Sequence, residues 1–506
     1  PPNVLIVMID DLGWGDLSAN PEAVPEAHTP NLDRLANEGV FFSDAYVTAP
    51  ICSASRAGFN TGLHQNRWDK NGGWTPGLPS SATTLAEWLR ENGYVTGKVG
   101  KNDFGTNLTV PDRFTDRTYP ANHGYDRFLG FTAHAHDYWF HETGGNNVNG
   151  SSAHAGPLQW HDELVVPEIS PQRRAFTGLD DPNNLDEDPD QYYLTDLITD
   201  EALNFLQEHG DGQDPFFLHV SYNAVHHLTP QVPEKYLQME AARLGWDSYP
   251  TEAEVYDPNT NTPSNPSNYH DFYNYWNKVY LIGAQAMRRY YQANLRCVDE
   301  NMGRLLDALD EAGLADNTLV FFFGDNGGAP ETGANNGPLM GSKYNVFEGG
   351  IRIPFMMRWP RALPGGSQYP YVVSTLDILP TVLEAAGMDP VAGLDGVSLL
   401  DPVLENQPTV ADPGDPTLDA RTLFWRWQTS NYAVRRGPWK LVDSETGRDA
   451  SLFTDEVWFD YGIVGKRSLF NLDDSVSETV PNDRIATEPG LANELQALYD
   501  TWVDSL

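Results

Sequence analysis

The apolar positions of this chain fall into short unbroken runs, each stopped by an acid, an amide or a polar turn. Val4-Leu5-Ile6-Val7-Met8-Ile9 ends at Asp10-Asp11, the pattern of a strand buried on both faces. Phe216 to Ser221 and Thr318 to Phe323 have the same form, and Phe41 to Val47 and Tyr94 to Val99 also read as strands. Between them apolar residues recur with a helical period. Thr29-Pro30-Asn31 to Glu38 predicts a helix with Thr29 as cap, Pro30 in the first turn and Gly39 as stop. Further helices are predicted from about Ser53, over Thr84 to Asn92, over Leu194 to His209 and over Ile282 to Ala312. Strands alternating with helices predict an α/β fold, a large mixed but mostly parallel sheet sandwiched by helices, with sites at the carboxyl ends of its strands.

Thr143 to Pro171 and Tyr249 to Asn268 are rich in Gly, Asn and Pro and read as long loops. Pro402 to Asp419 reads as a linker. Beyond it, Leu423 to Trp427, Tyr432 to Val434 and Lys440 to Val442 predict short strands, and a last helix runs from about Glu488 to Trp502. The expected division is a large domain over residues 1–400 and a small C-terminal α+β domain over 420–506.

Composition narrows the function. The 506 residues carry a net charge of −39, so nucleic acid and anionic membranes are poor partners for the surface as a whole. An anionic substrate would need a local cationic pocket. No apolar run approaches the roughly 20 residues of a membrane helix. The chain starts Pro1-Pro2-Asn3, without Met or a signal peptide, so it reads as processed, and export to the periplasm or outside the cell is the expectation. Its two cysteines, Cys52 and Cys297, suit a single disulfide or separate roles.

Asp10-Asp11 follows one buried strand and Asp325-Asn326 follows another, Phe321-Phe322-Phe323-Gly324. Three carboxylates and an amide oxygen converging from two strand ends make a hard oxygen site for calcium or magnesium. Either pair alone also suits a helix cap or a turn. Cys52-Ser53-Ala54-Ser55-Arg56, followed by Ala57-Gly58-Phe59-Asn60-Thr61-Gly62, opens a predicted helix of small residues. An anion is favoured at such a helix N-terminus.

This stretch resembles the signature of the type I sulfatases, of the alkaline phosphatase-like superfamily. Further blocks look like that family in its order: Ile9 to Asp16, Thr29 to Leu35, Gly100-Lys101, His226, Gly324 to Gly327, Lys343 and Glu348 to Pro354, with Ser468 to Leu472 before the last helix. The resemblance implies that Cys52 is oxidised to formylglycine by a formylglycine-generating enzyme. The hydrated aldehyde then attacks sulfur, with Arg56 holding it. Asp10, Asp11, Asp325 and Asn326 would bind one divalent cation, calcium or alternatively Mg2+. Lys101 and Lys343 would neutralise sulfate oxygens, and His226 would protonate the departing alcohol. His226 also reads as a strand-end structural residue, and His227 stands beside it.

One block departs from the family, which usually has Gly-Lys-Trp-His where this chain has Gly100-Lys101-Asn102-Asp103. Asp103 then becomes the candidate base that expels sulfate, with His123 as an alternative. Phe131 to His141 is dense in His and aromatics. His134, His136 and Trp139 are its candidate contacts to a sulfated carbohydrate, although a Tyr-Trp-Phe run also suits a buried core. The rival readings are a phosphate or phosphonate ester hydrolase of the same superfamily and a non-catalytic binder of sulfated glycans.

Overall fold

The structure, a computed structural model, describes residues 1–70, 77–79, 81–104, 119–132, 134, 138, 159–160, 193–210, 214–226, 229, 232–247, 284–412, 414–444 and 466–506. Its centre is a nine-stranded sheet built from β1 (Asn3–Ile9), β2 (Val40–Phe42), β4 (Val95–Lys101), β5 (Arg127–Phe131), β6 (Gln159–Trp160), β7 (Phe216–Ser221), β8 (Thr318–Gly324), β9 (Phe355–Arg358) and β10 (Ser367–Tyr369). A two-residue β3 (Ala45–Tyr46) pairs outside it with β11 (Val373–Ser374). The strand order is β10-β2-β9-β8-β1-β7-β4-β5-β6. The five neighbours β8, β1, β7, β4 and β5 are all parallel, so their carboxyl ends open on one edge.

The apolar runs become central strands because both faces need covering. Leu5, Val7 and Ile9 enter one core cluster, and Val4, Ile6 and Met8 the other, as alternation along a strand requires. Each such side chain contributes about 1.5–3 kcal/mol when buried. On the first face lie α1 (Pro30–Glu38), α4 (Leu194–His209) and α6 (Ala284–Glu311); on the second lie α2 (Cys52–Thr61), α3 (Leu85–Glu91) and α8 (Ile378–Ala385). Between them in sequence come α5 (Glu234–Leu244) and the one-turn α7 (Glu348–Ile351).

Several local expectations are corrected. Thr29 occupies the N-cap position of α1 as expected, but its side chain makes no capping bond, because its hydroxyl is engaged by Ser18. The carboxylate of Asp299, on α6, accepts from Asn31 N at 3.0 Å and Leu32 N at 2.9 Å instead. The strand expected over Phe41 to Val47 is two strands, β2 and β3, broken at Ser43-Asp44, where Asp44 turns to meet Arg435 at 2.6 Å. The stretch read as a linker is structured: it holds most of α9 (Leu400–Glu405) and a hairpin of β12 (Ala411–Asp412) with β13 (Asp415–Asp419). A disulfide is excluded, since Cys52 and Cys297 are both free and buried.

The C-terminal strands β14 (Thr422–Trp427), β15 (Asn431–Arg436), β16 (Trp439–Ser444) and β17 (Lys466–Asn471) form an antiparallel sheet, and α10 (Pro489–Ser505) packs on it. Trp425, Ala433, Val442 and Phe470 point the other way, into the core below the large sheet. Trp425 Nε1 donates to Val47 O at 2.7 Å. Among the described residues, no helix is long and apolar enough to cross a membrane.

Candidate active site

Every acid of the site sits at the end of a parallel strand. Asp10 and Asp11 follow β1, Asp325 and Asn326 follow β8, and Asp103 follows β4. Asp11 and Asp103 both take positive φ, 59° and 49°, a region where a non-glycine residue costs about 1–3 kcal/mol. Gly100, next to Lys101, is held at φ 99° with a would-be Cβ only 2.0 Å from Ser221 O. Only glycine lets β4 and β7 run this close at the site.

The four carboxylates are fully buried and matched by three cations. Lys101 Nζ lies 2.5 Å from Asp10 Oδ2 and 3.3 Å from Asp103 Oδ2. Lys343 Nζ touches both oxygens of Asp11, at 2.8 and 3.0 Å. Arg56, one turn into α2, sends Nε to Asp325 Oδ2 at 2.9 Å, and Nη1 to Ser221 Oγ at 2.6 Å and to Lys101 O at 3.2 Å. It therefore ties together the ends of β4, β7 and β8. Its guanidinium bonds to these strand ends and lies close enough to Cys52 for their charges to interact.

Burial works against every charge here, and the outcome depends on partners. Desolvation pushes Asp325 up to about 6, helped by Asp10 and opposed by Arg56. Asp10 is also raised, by burial first, although Lys101 pulls it down. Lys101 and Lys343 stay charged despite desolvation, because Asp10 and Asp11 respectively face them. For Asp103, burial loses to His134 and Lys101, and its carboxyl is held well below the usual range.

Cys52 opens α2 with 1% exposure and no side-chain cap before it. Its thiol is pushed well up, by burial and then by Asp103, so the unmodified residue is a poor nucleophile. His226 stands with Nε2 3.7 Å from Asp11 Oδ2, and its carbonyl accepts from Tyr138 OH at 3.0 Å. His134 meets Asp103, Nδ1 to Oδ1 at 2.5 Å. His123 packs its ring on Phe104 at 4.8 Å and on Tyr125 at 5.5 Å. His136, Trp139, His227 and the predicted loop Tyr249 to Asn268 lie outside the described residues, as does Thr143 to Pro171 except for Gln159–Trp160, which forms β6 against β5 where a loop was expected.

Two oxygens test the cation expectation. Asp10 Oδ1 and Asn326 Oδ1 are buried and have no hydrogen-bond partner among the described residues. Such orphans are costly unless an ion takes them, and a carboxylate and an amide oxygen are donors a hard cation accepts. Asp10, Asp11 and His226 also bring one donor atom each within 4.8 Å of one another. The residues fit a hard divalent cation.

The profile of the Sulfatase family matches residues 2–388. The chain belongs to the Sulfatase family. Among its relatives, this sulfatase is 31% identical over 472 residues to N-acetylgalactosamine-6-sulfatase of Canis lupus familiaris, covering 86% of this chain and 74% of that one. Among solved structures it is similar to Ps i-CgsB in complex with k-i-k-neocarrahexaose (TM-score 0.71, 25% identity, 99% and 92% covered). It also shares its fold with the phosphonate monoester hydrolase of Agrobacterium radiobacter (TM-score 0.60, 20% identity, 98% and 95% covered). The sulfatase is thus a sulfuric ester hydrolase with the alkaline phosphatase-like fold.

Sequence reasoning missed Ser221, which anchors Arg56. Its signal was weak but present: a small polar residue ending an apolar strand five positions before His226. It also missed Glu331, which burial pushes up to about 7 and which lies near enough to Asp11 and Lys343 to feel both charges.

Proposed function

We propose that this protein hydrolyses sulfate esters on a sulfated carbohydrate, with the formylglycine hydrate derived from Cys52 as nucleophile. The observation that carries the reading is the convergence of a buried Cys52, at the open N-terminus of α2, with four buried carboxylates and the cations Arg56, Lys101 and Lys343. An inert thiol at the focus of such a site makes sense if oxidation replaces it, since the geminal hydroxyls would stand where Sγ stands now. Support for a carbohydrate comes from a relative named for N-acetylgalactosamine and a neighbour solved with a neocarrahexaose.

Asp10, Asp11, Asp325 and Asn326 would hold the cation, calcium or Mg2+. When bound it supplies polarisation of a sulfate oxygen and stabilises the ionised nucleophile. Lys101 and Lys343 then face the remaining sulfate oxygens, and the N-terminal amides of α2 add positive potential. Arg56 would hold the hydrated aldehyde while keeping Asp325 and the end of β7 in place. His226, beside Asp11, is the proton donor to the leaving alcohol. His136 and Trp139, from the His- and aromatic-rich segment, would contact the sugar, while His134 of the same segment meets Asp103 beside Cys52. Maturation would need a formylglycine-generating enzyme, and export to the periplasm or outside the cell fits such a substrate.

Peptide mass spectrometry across Cys52, after co-expression with a formylglycine-generating system, tests the nucleophile. Conversion is expected, and Cys52→Ala should abolish sulfate release with its melting temperature unchanged. Full sulfate release by Cys52→Ala refutes the assignment. Faster turnover of an aryl phosphate than of the matching aryl sulfate favours the phosphate or phosphonate rival, and glycan binding without release favours a binder.

A further inference from the structure

We propose that His134, oriented by Asp103, is the base that expels sulfate from the enzyme after transfer. The inference rests on the formylglycine reading above. Cys52 Sγ, a carboxylate oxygen of Asp103 and a ring nitrogen of His134 lie within 4.8 Å of one another. All three side chains are buried. His134 arrives from beyond the end of β5 and Asp103 from beyond the end of the adjacent parallel β4, so the pair is a product of strand order.

His134 and His226 have different neighbours. His226 stands against Asp11, on the side of the proposed cation site, whereas His134 is bonded to Asp103 at 2.5 Å. A carboxylate that accepts from one imidazole nitrogen fixes the ring and stabilises the imidazolium formed when the ring takes a proton. Asp103 is the weaker candidate for the base itself. Its own carboxyl is held low by His134 and Lys101 against the effect of burial, so it accepts protons poorly and serves as the positioning residue.

The step balances as follows. After transfer the former hydrate carries one sulfated oxygen and one free hydroxyl. His134 takes the hydroxyl proton, the O–H electron pair becomes the second bond of the aldehyde C=O, and the C–O bond to sulfate breaks. Sulfate leaves with that pair. Water then adds across the aldehyde to restore the hydrate, and the proton on His134 passes to solvent.

Rapid-quench kinetics with an aryl sulfate, on protein whose Cys52 conversion has been measured first, separates the possibilities. His134→Gln and His134→Ala should keep a burst of one phenol per converted site, while steady-state turnover falls by about 10²–10⁴-fold. Mass spectrometry should then find the Cys52 peptide sulfated, and added imidazole should restore turnover of His134→Ala, a rescue that a purely structural role would not give. Asp103→Asn should show the same burst with a smaller loss. Near-normal turnover of both His134 variants overturns the proposal, and so does loss of the burst together with turnover in protein that melts as wild type does. Absence of formylglycine in active wild-type protein overturns the earlier reading instead and is seen before any burst is recorded. If Asp103→Asn fails to fold, the His134 variants alone decide.

Discussion

Replacing Lys440 by Met should loosen the C-terminal sheet from the loop that carries Lys343. Lys440 Nζ is fully buried, 2.8 Å from Glu348 Oε1 and 2.9 Å from Glu478 Oε1. Glu348 also accepts from Tyr46 OH at 2.7 Å, and its backbone N–H donates to Glu478 at 2.5 Å. It opens α7, whose Gly350 carbonyl accepts from Gly327 N at 3.0 Å beside the acids of the site. Removing one partner of a buried ionic cluster costs about 3–5 kcal/mol, because the remaining charges are stranded. The cost should fall at the low end of that range. Burial already pushes Glu478 up against the pull of Lys440, whereas Arg435 and Arg352 help Lys440 hold Glu348 down.

At about 2.1 cal/mol/K of unfolding entropy per residue, 506 residues melting together lose about 3 °C of Tm. The sign with pH follows from the glutamates. Without Lys440 the already raised Glu478 rises further and Glu348 loses the main pull that holds it down, so they can be buried neutral at low pH and oppose folding as pH climbs through their folded values. The Lys440→Met deficit should therefore be larger at pH 8 than at pH 5. Adding Glu348→Gln and Glu478→Gln should recover most of it, since the stranded charges are then gone. Differential scanning calorimetry of the single and triple variants at both pH values is the assay. A single variant within 1 °C of wild type at pH 8, or a triple variant no better than the single, refutes the reasoning.

Asp325→Ala removes an acid between Arg56 and the cation site, so calcium should stabilise it far less than it stabilises wild type, which gains about 2.7 kcal/mol at a hundredfold excess over Kd; equal calcium-induced shifts in Tm would show the ligand set to be wrong. His64 lies between Trp502 and Phe424 O, and burial pushes it down to about 4 although Asp395 pulls the other way. Its contribution is fully present above the unfolded value near 6.5 and is lost as pH falls, by about 2 kcal/mol at pH 5. Urea titrations at pH 7 and pH 5 should show that loss in wild type and not in His64→Gln.

What could be read from the sequence was what burial writes locally. Val4 to Ile9 declares a central strand because both of its faces are covered, and Cys52 to Arg56 declares a small-residue helix because all ten residues of α2 are buried. Pairings across long separations leave no such trace. Asp299 caps a helix 268 positions away, and nothing near Thr29 indicates that its hydroxyl is already engaged by Ser18. Phe41 to Val47 looks like one strand because its residues are buried throughout or nearly so; the break comes from Asp44 meeting Arg435, on a strand far along the chain. The partnership of Asp103 with His134 was hidden for the same reason. Each residue follows its own strand, and only the parallel pairing of β4 with β5 brings them together.

The local charge balance explains how so acidic a protein can take an anionic ester. At the site Asp10, Asp11, Asp103 and Asp325 face Arg56, Lys101 and Lys343, leaving one net negative charge among these seven groups. Without a cation the pocket would repel sulfate as the rest of the surface does. A divalent ion on the orphaned Asp10 Oδ1 and Asn326 Oδ1 would turn the balance to one net positive charge, matched to a singly charged sulfate monoester. Lys101 and Lys343, now bonded to Asp10 and Asp11, would then be able to turn toward the ester, because the ion takes over the carboxylates they neutralise. The net charge of −39 is no obstacle to that, since exposed charges beyond about 8–10 Å are largely screened at physiological salt while buried ones are screened much less. On the proposed reading, affinity for the anion would therefore be set by the few buried groups around Cys52, and would depend on the cation as much as on the lysines.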